Sequence, residues 1–202
     1  MQTRIDAFLR PRPLAGMPPR TAHATATATA PPPSSSTLNA STTPIEAFTD
    51  GACTNNGKHN AKAGVGVAFP DRPDLNVSEP LAGKATNNRA ELTAILRALE
   101  IVDARLDPAR QRPVRLYTDS MLCVNTFTNW VAGWKRNGWR KADGAPVLNA
   151  DLVDKVDQRV QARRVRGRVE FVHVRAHTGR ADRNSKFNEL ADQLASAGAS
   201  SA

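Results

Sequence analysis

Cysteine is scarce in this chain: Cys53 and Cys123 are the only two, far apart, with no CxxC pair and no Cys/His cluster around them. Their spacing excludes a disulfide framework and a thiolate zinc site, and fits a protein of a reducing compartment. Long apolar runs are missing too. None approaches the roughly 18 residues of a membrane-crossing helix, so no transmembrane segment is expected. Acid is in deficit, with 19 Asp and Glu against 28 Lys and Arg for a formal net charge of +9. That imbalance suits a polyanionic partner, nucleic acid first, although charge of either sign also keeps a protein soluble. What is present is ordinary: 202 residues with 40% hydrophobic content hold one domain of average size and a tail.

The tail is residues 1–44. Eight of the 14 prolines fall there, at 11, 13, 18, 19, 31, 32, 33 and 44, around a Thr-Ala alternation and Ser34-Ser35-Ser36. Such a composition buries too little apolar surface to offset its ordering entropy, and disorder is expected. Arg4, Arg10, Arg12 and Arg20 against Asp6 give the tail +3, so +6 of the formal charge belongs to the remainder. Within the tail, Gln2, Ile5, Phe8 and Leu9 resemble the PIP box, the peptide that binds a sliding clamp. The resemblance implies that Ile5, Phe8 and Leu9 plug an apolar pocket from one helical turn while Gln2 enters a polar one. Leu9 stands where that motif usually has a second aromatic. An Arg-rich, acid-poor start also reads as an organelle transit peptide, with Asp6 against it, and an unstructured start is the third reading.

The remainder is organised around Ile45–Gly57, an apolar strand running into Thr49-Asp50-Gly51-Ala52. A carboxylate at a strand end, beside glycine backbone that a ligand can approach closely, is a good place to hold a cation. Ala63–Phe69 reads as a second strand and Asn76–Lys84 as a third, with Pro80 marking an edge. Three strands on short connections suggest an antiparallel meander. In Thr86-Asn87-Asn88-Arg89-Ala90-Glu91 the Asn pair suits an N-cap, and Leu92, Ile95, Leu96, Leu99 and Val102 then recur at helical spacing. Glu91 falls in the first turn beside that apolar stripe, either facing the sheet or merely complementing the helix dipole. Val114–Thr118 is a fourth strand, and Thr118-Asp119-Ser120 repeats the pattern of Thr49-Asp50-Gly51. Strands alternating with helices from here point to parallel pairing. Carboxylates on neighbouring strand ends repel each other, and a shared cation relieves the repulsion.

Residues 129–149 differ from the rest. All three tryptophans, Trp130, Trp134 and Trp139, lie there among Lys135, Arg136, Arg140 and Lys141. Aromatic faces beside cations grip nucleic acid by stacking and phosphate contact. The plainer reading is a satellite core under a solvated basic face, with at least one tryptophan buried. Asn149–Arg163 reads as a helix, Val169–Val174 as a strand leading to His177, and Asn188–Ala195 as the start of a last helix that bears Asp192.

The segments FTDGACTNNG, TNNRAELTA, LYTDSMLCVN, NWVAGWKRNGWR, HVRAHTG and NELADQLA stand in the order found in type 1 ribonuclease H, and the chain resembles that family over 45–198. The resemblance implies an α/β, ribonuclease H-like fold. Its mixed five-stranded sheet, three strands antiparallel and two parallel, is flanked by helices, with a basic protrusion at 130–149. It implies that Asp50, Glu91, Asp119 and Asp192 hold two Mg²⁺ ions, Mn²⁺ substituting, and that His177 on a loop assists proton traffic or product departure. It places Asn56, Asn87 and Asn88 on the RNA strand, and Lys84, Thr86, Trp130, Trp134 and Asn149 on the DNA strand. Lys135, Arg136, Arg140 and Lys141 fall on backbone phosphate. The sequence departs from the family in its long loop between His177 and Asp192, and in Phe187, which replaces a glycine before Asn188. Asp182 in that loop is a further candidate for metal contact. Residues 1–44 are not expected to form the separate hybrid-binding domain common in eukaryotic relatives.

The expectation is a monomeric, Mg²⁺-dependent endonuclease that hydrolyses the RNA strand of RNA–DNA hybrids to 5′-phosphate and 3′-hydroxyl ends. It would act in the nucleus or wherever DNA replicates, with a sliding clamp as a second partner and no membrane. The rival is a non-catalytic hybrid-binding adaptor that recruits factors through its tail. A third reading, a related nuclease or integrase domain acting on DNA, sits poorly with the three asparagines and the tryptophan-rich protrusion.

Overall fold

In the computed structural model residues 43–164, 167–176 and 181–202 are described. The clamp-type peptide (Gln2, Ile5, Phe8 and Leu9), the rest of the tail to residue 42, and His177 lie outside them. Strands β1 (Ile45–Thr54), β2 (Lys62–Ala68) and β3 (Val77–Pro80) form an antiparallel meander. β4 (Val114–Thr118) and β5 (Val169–His173) continue the sheet parallel to β1 on its other side. The five strands run in the order β3-β2-β1-β4-β5, the mixed sheet that the sequence predicts, with Pro80 on an edge strand. The helices are α1 (Asn87–Ile101), α2 (Met121–Asn125), α3 (Val131–Arg136), α4 (Ala150–Arg163) and α5 (Arg183–Ser200).

Both faces of the sheet are covered, because β1 is apolar in alternating positions on each side. Ala47, Val65, Val67 and Leu116 join Leu92, Ile95 and Leu99 of α1 and Val153 and Val156 of α4 in the larger core. On the opposite face Phe48, Ala68 and Tyr117 pack with Ala191 of α5. Phe48 and Tyr117 stack at 4.3 Å between ring centroids, and Phe187 lies 5.5 Å from Phe48. The side chain at 187 therefore fills that second core. Arg183 lies over the Phe187 ring and pairs with Glu46 at 2.7 Å, which fastens the beginning of α5 to the sheet. At the far end of the larger core, Arg163 is fully buried and pairs with Asp103 and Asp107, joining α4 to the connection after α1.

Glycines decide how close the helices come, and two of them lie beside the acids. A Cβ at Gly51 would strike the backbone of Ala90 and Glu91, and one at Gly66 would strike the Ala191 carbonyl. Gly51 thus admits the first turns of α1, where the sequence reading reserved it for a ligand. Gly66 stands directly opposite Asp50 in the β1–β2 register, so both face α5, one residue away from Asp192.

The structure corrects several local expectations. β1 runs on to Thr54, so Asp50 is inside a strand; what ends near it is the parallel pairing to β4, at Phe48↔Tyr117. Thr86 caps α1, its hydroxyl accepting from the Arg89 amide at 3.3 Å, and the Asn pair opens the helix instead. Glu91 consequently sits in the second turn, where the dipole no longer explains it. Helix runs through 121–136, bending at a wide turn in which Val131 N donates to Thr126 O. The aromatic composition there concealed it. α5 begins at Arg183, leaving Asp192 in mid-helix.

Candidate active site

Four elements bring carboxylates to one place. Asp50 projects from β1, Asp119 follows β4 directly, Glu91 stands on α1 and Asp192 on α5. Asp50 is 8% exposed. Burial, then the negative charges of Asp119, Asp192 and Glu91, push its carboxyl from an ordinary 3.8 up to about 7 against a hydrogen bond from the Gly51 amide. Glu91 is also raised, first by burial and next by the charge of Asp119, with a hydrogen bond from Ser120 opposing. An uncompensated acidic cluster of this kind costs stability, which marks it as a place where function overrides packing.

The carboxylates are held by neighbours to which the sequence reading assigns other roles or none. Asn87 Nδ2 donates to Glu91 Oε1 at 2.8 Å, and Ser120 Oγ makes a short hydrogen bond to Glu91 Oε2. Asn188 Nδ2 lies 3.4 Å from Asp119 Oδ2, while its buried Oδ1 has no partner among the described residues. Nothing in a pattern of charged letters signals these contacts, although Asn188 does fall inside a motif quoted above. Asp182 binds the Ser185 amide and hydroxyl at 3.1 and 2.8 Å as the cap of α5, a structural use the sequence reading did not foresee.

Among the described residues no group of three or more His, Cys, Asp or Glu side chains is placed to hold a metal ion as it stands. An open acidic set is nevertheless what Mg²⁺ uses, since that ion keeps several waters and takes one or two carboxylates plus substrate phosphate. The raised Asp50 carboxyl, whose charge lacks compensation, and the orphaned Asn188 oxygen both fit a cation with its waters at this spot.

The residues expected on nucleic acid fall into two groups around α1. Asn56 Oδ1 accepts from the Asn87 amide at 3.3 Å, which sets those two side by side at the opening of the helix. Asn88 instead lines a groove of about 240 Å³ with Leu92, Trp130, Trp134, Lys141 and Asn149. Trp130 and Trp134 lie 5.6 Å apart, tilted. None of the tryptophans is fully buried: Trp130 is exposed, and Trp134 and Trp139 pack partly on the core. Arg89 donates to Asn149 Oδ1 at 3.2 Å and pairs with Asp151, so the Asn149 amide nitrogen is the end left for a ligand. Thr86 keeps its hydroxyl proton to donate, and Lys84 is exposed in the loop before it. The four cations of the protrusion are not equivalent. Lys135 is tied to Asp154 and Asp157 of α4 at 3.1 and 2.9 Å. Lys141 pairs with Asp143, Arg140 donates to the Gly144 carbonyl, and Arg136 makes no ion pair among the described residues.

A mixed sheet in this strand order, with acids from β1, α1, β4 and α5 meeting beside it, defines a ribonuclease H-like protein. The RNase H family model matches residues 42–200, and the chain belongs to that family. Ribonuclease H1 of Rattus norvegicus is 37% identical over 155 residues, covering 77% of this chain and 50% of that protein. Ribonuclease H of Dechloromonas aromatica (strain RCB) is 36% identical over 156 residues, covering 76% and 92%. The chain spans about half the length of the mammalian relatives it matches. Among solved structures, LC9-RNase H1, a type 1 RNase H with the type 2 active-site motif, superimposes with a TM-score of 0.56 at 28% identity, covering 78% of this chain and 72% of that one.

Proposed function

We propose that this protein is an endoribonuclease that hydrolyses the RNA strand of RNA–DNA hybrids, with Mg²⁺ held by Asp50, Glu91, Asp119 and Asp192. The observation that supports it most is the acidic neighbourhood itself: four elements meet there, and burial and repulsion raise Asp50 to about 7. Asp50, Glu91, Asp119 and Asp192 would hold divalent cations there, which would supply an acidified water and charge stabilisation for hydrolysis to 5′-phosphate and 3′-hydroxyl ends. The chain's own groups do the remaining work. Asn56 and Asn87, at the opening of α1, face the strand whose 2′-hydroxyls they read as donors and acceptors. Trp130, Trp134 and Asn149 receive the DNA strand by stacking and by an amide donated to phosphate. His177 takes the proton traffic that an imidazole near neutral pKa suits.

Cleavage of an end-labelled hybrid with Mg²⁺ and with EDTA, beside RNA and DNA duplexes of the same sequence, tests this reading. Metal-dependent cutting of RNA in the hybrid alone is expected. Tight hybrid binding without cutting in Mg²⁺ or Mn²⁺ would make the protein a hybrid-binding adaptor instead.

The inequality of the protrusion cations gives a second expected result. Arg136→Ala should lower the slope of log affinity against log salt by about 1, as loss of one phosphate contact does. Lys135→Ala should leave that slope nearly unchanged, because Asp154 and Asp157 already neutralise Lys135. A sliding-clamp contact through Gln2, Ile5, Phe8 and Leu9, and action at sites of DNA replication, are proposed from the sequence alone. Removing residues 1–12 should abolish clamp binding and leave cleavage of a short free hybrid as it was.

A further inference from the structure

We infer that Ser120 is a positioning residue that sets the Glu91 carboxylate for metal before any metal arrives, an inference that rests on the metal-binding reading of Glu91. Ser120 is 8% exposed and follows Asp119 at the corner between β4 and α2. Its hydroxyl accepts the Cys123 amide at 3.3 Å, capping α2. A serine hydroxyl has a single proton, and with a lone pair occupied by Cys123 that proton is free to point elsewhere. It points to Glu91 Oε2. The backbone at this corner is fixed as well, since Ser120 N donates to Thr118 Oγ1 at 3.1 Å.

Glu91 is therefore held at both oxygens, by Ser120 on one and by Asn87 Nδ2 at 2.8 Å on the other, with Cys123 Sγ 3.8 Å from Oε2. Without such donors a glutamate on a helix would swing on three rotatable bonds, and the charge of Asp119 would turn it away from the cluster. Ser120 adjoins Asp119 in the chain, so one corner fixes the spacing of two acids that arise from different elements. Groups that orient metal ligands in this way commonly govern metal affinity by about 10–100-fold.

A purely structural role, capping α2, predicts something different, and two substitutions separate the roles. Ser120→Gly removes the hydroxyl while keeping a residue type that caps a helix nearly as well. Ser120→Thr keeps both. In the full chain, Mn²⁺ binding followed by the electron paramagnetic resonance signal of the free ion is expected to weaken about tenfold in Ser120→Gly. The Mg²⁺ concentration for half-maximal cleavage should rise by a similar factor, hybrid affinity in EDTA should stay as it was, and Ser120→Thr should restore both readouts. Glu91→Gln is the reference. If Glu91→Gln weakens Mn²⁺ binding and Ser120→Gly does not, Ser120 is only a cap and the inference is overturned while the metal-binding reading stands. If Glu91→Gln leaves Mn²⁺ binding intact, that reading of Glu91 fails and the inference falls with it. Failure of Ser120→Thr to restore metal binding would likewise overturn it.

Discussion

Asp50→Asn is expected to lose cleavage by about a thousandfold or more, the several kcal/mol that a metal ligand supplies to phosphoryl transfer, and yet to make the protein more stable. The native carboxyl is raised from 3.8 to about 7, mainly by burial and then by the neighbouring acids. The folded state thus holds the Asp50 proton more tightly than the unfolded chain does, and stability falls as pH rises from about 4 to about 7. Asparagine has no charge to lose. Its advantage in EDTA should be absent below about pH 4 and full above about pH 7, at most about 4 kcal/mol and on the order of half that after relaxation. Added Mg²⁺ should narrow the gap, because it binds the native acids and not the unfolded chain. Urea unfolding of both proteins at pH 4 and pH 8 measures this. A native protein as stable as Asp50→Asn at pH 8 in EDTA would mean that neither burial nor the neighbouring acids penalise the Asp50 charge.

Gly51→Ala should be among the most damaging single methyls in the site. The added carbon would meet the backbone of Ala90 and Glu91, so α1 must retreat and draw Glu91 with it. A cost of about 3 kcal/mol is expected, as for overpacking against an element that cannot yield, together with weakened metal binding. Gly133→Ala is the natural comparison, since a Cβ there meets nothing within 4 Å. In the helix α3 it should be neutral or stabilising by up to about 1 kcal/mol. Equal unfolding midpoints for the two variants would show that α1 can shift freely over the sheet.

The parts of this protein that were legible in its sequence are those with a local signature. β1 and β4 each announce themselves as an apolar run ending near Thr-Asp, and α1 by its spacing from Leu92 to Val102; these fix the sheet and the place of Asp50, Glu91 and Asp119. What was not legible depends on meetings across the chain. Lys135 and Arg136 read alike, but Asp154 and Asp157 on α4 claim only Lys135. Gly51 reads as room for a ligand, and the room is taken by α1. Ser120 reads as a small residue after an acid, and its role emerges only when α1 brings Glu91 to it. Phe187 breaks the family pattern as a letter, yet it packs, tilted, against Phe48 of the Phe48–Tyr117 stack.

The most direct test of the proposed chemistry is anomalous scattering from Mn²⁺ in crystals of the full chain bound to a hybrid whose RNA strand cannot be cut. Metal peaks touching Asp50 and an RNA phosphate, bounded by Glu91, Asp119 and Asp192, are expected. A hybrid seated with its RNA phosphates away from Asp50, or no metal among these acids at saturating Mn²⁺, would contradict it.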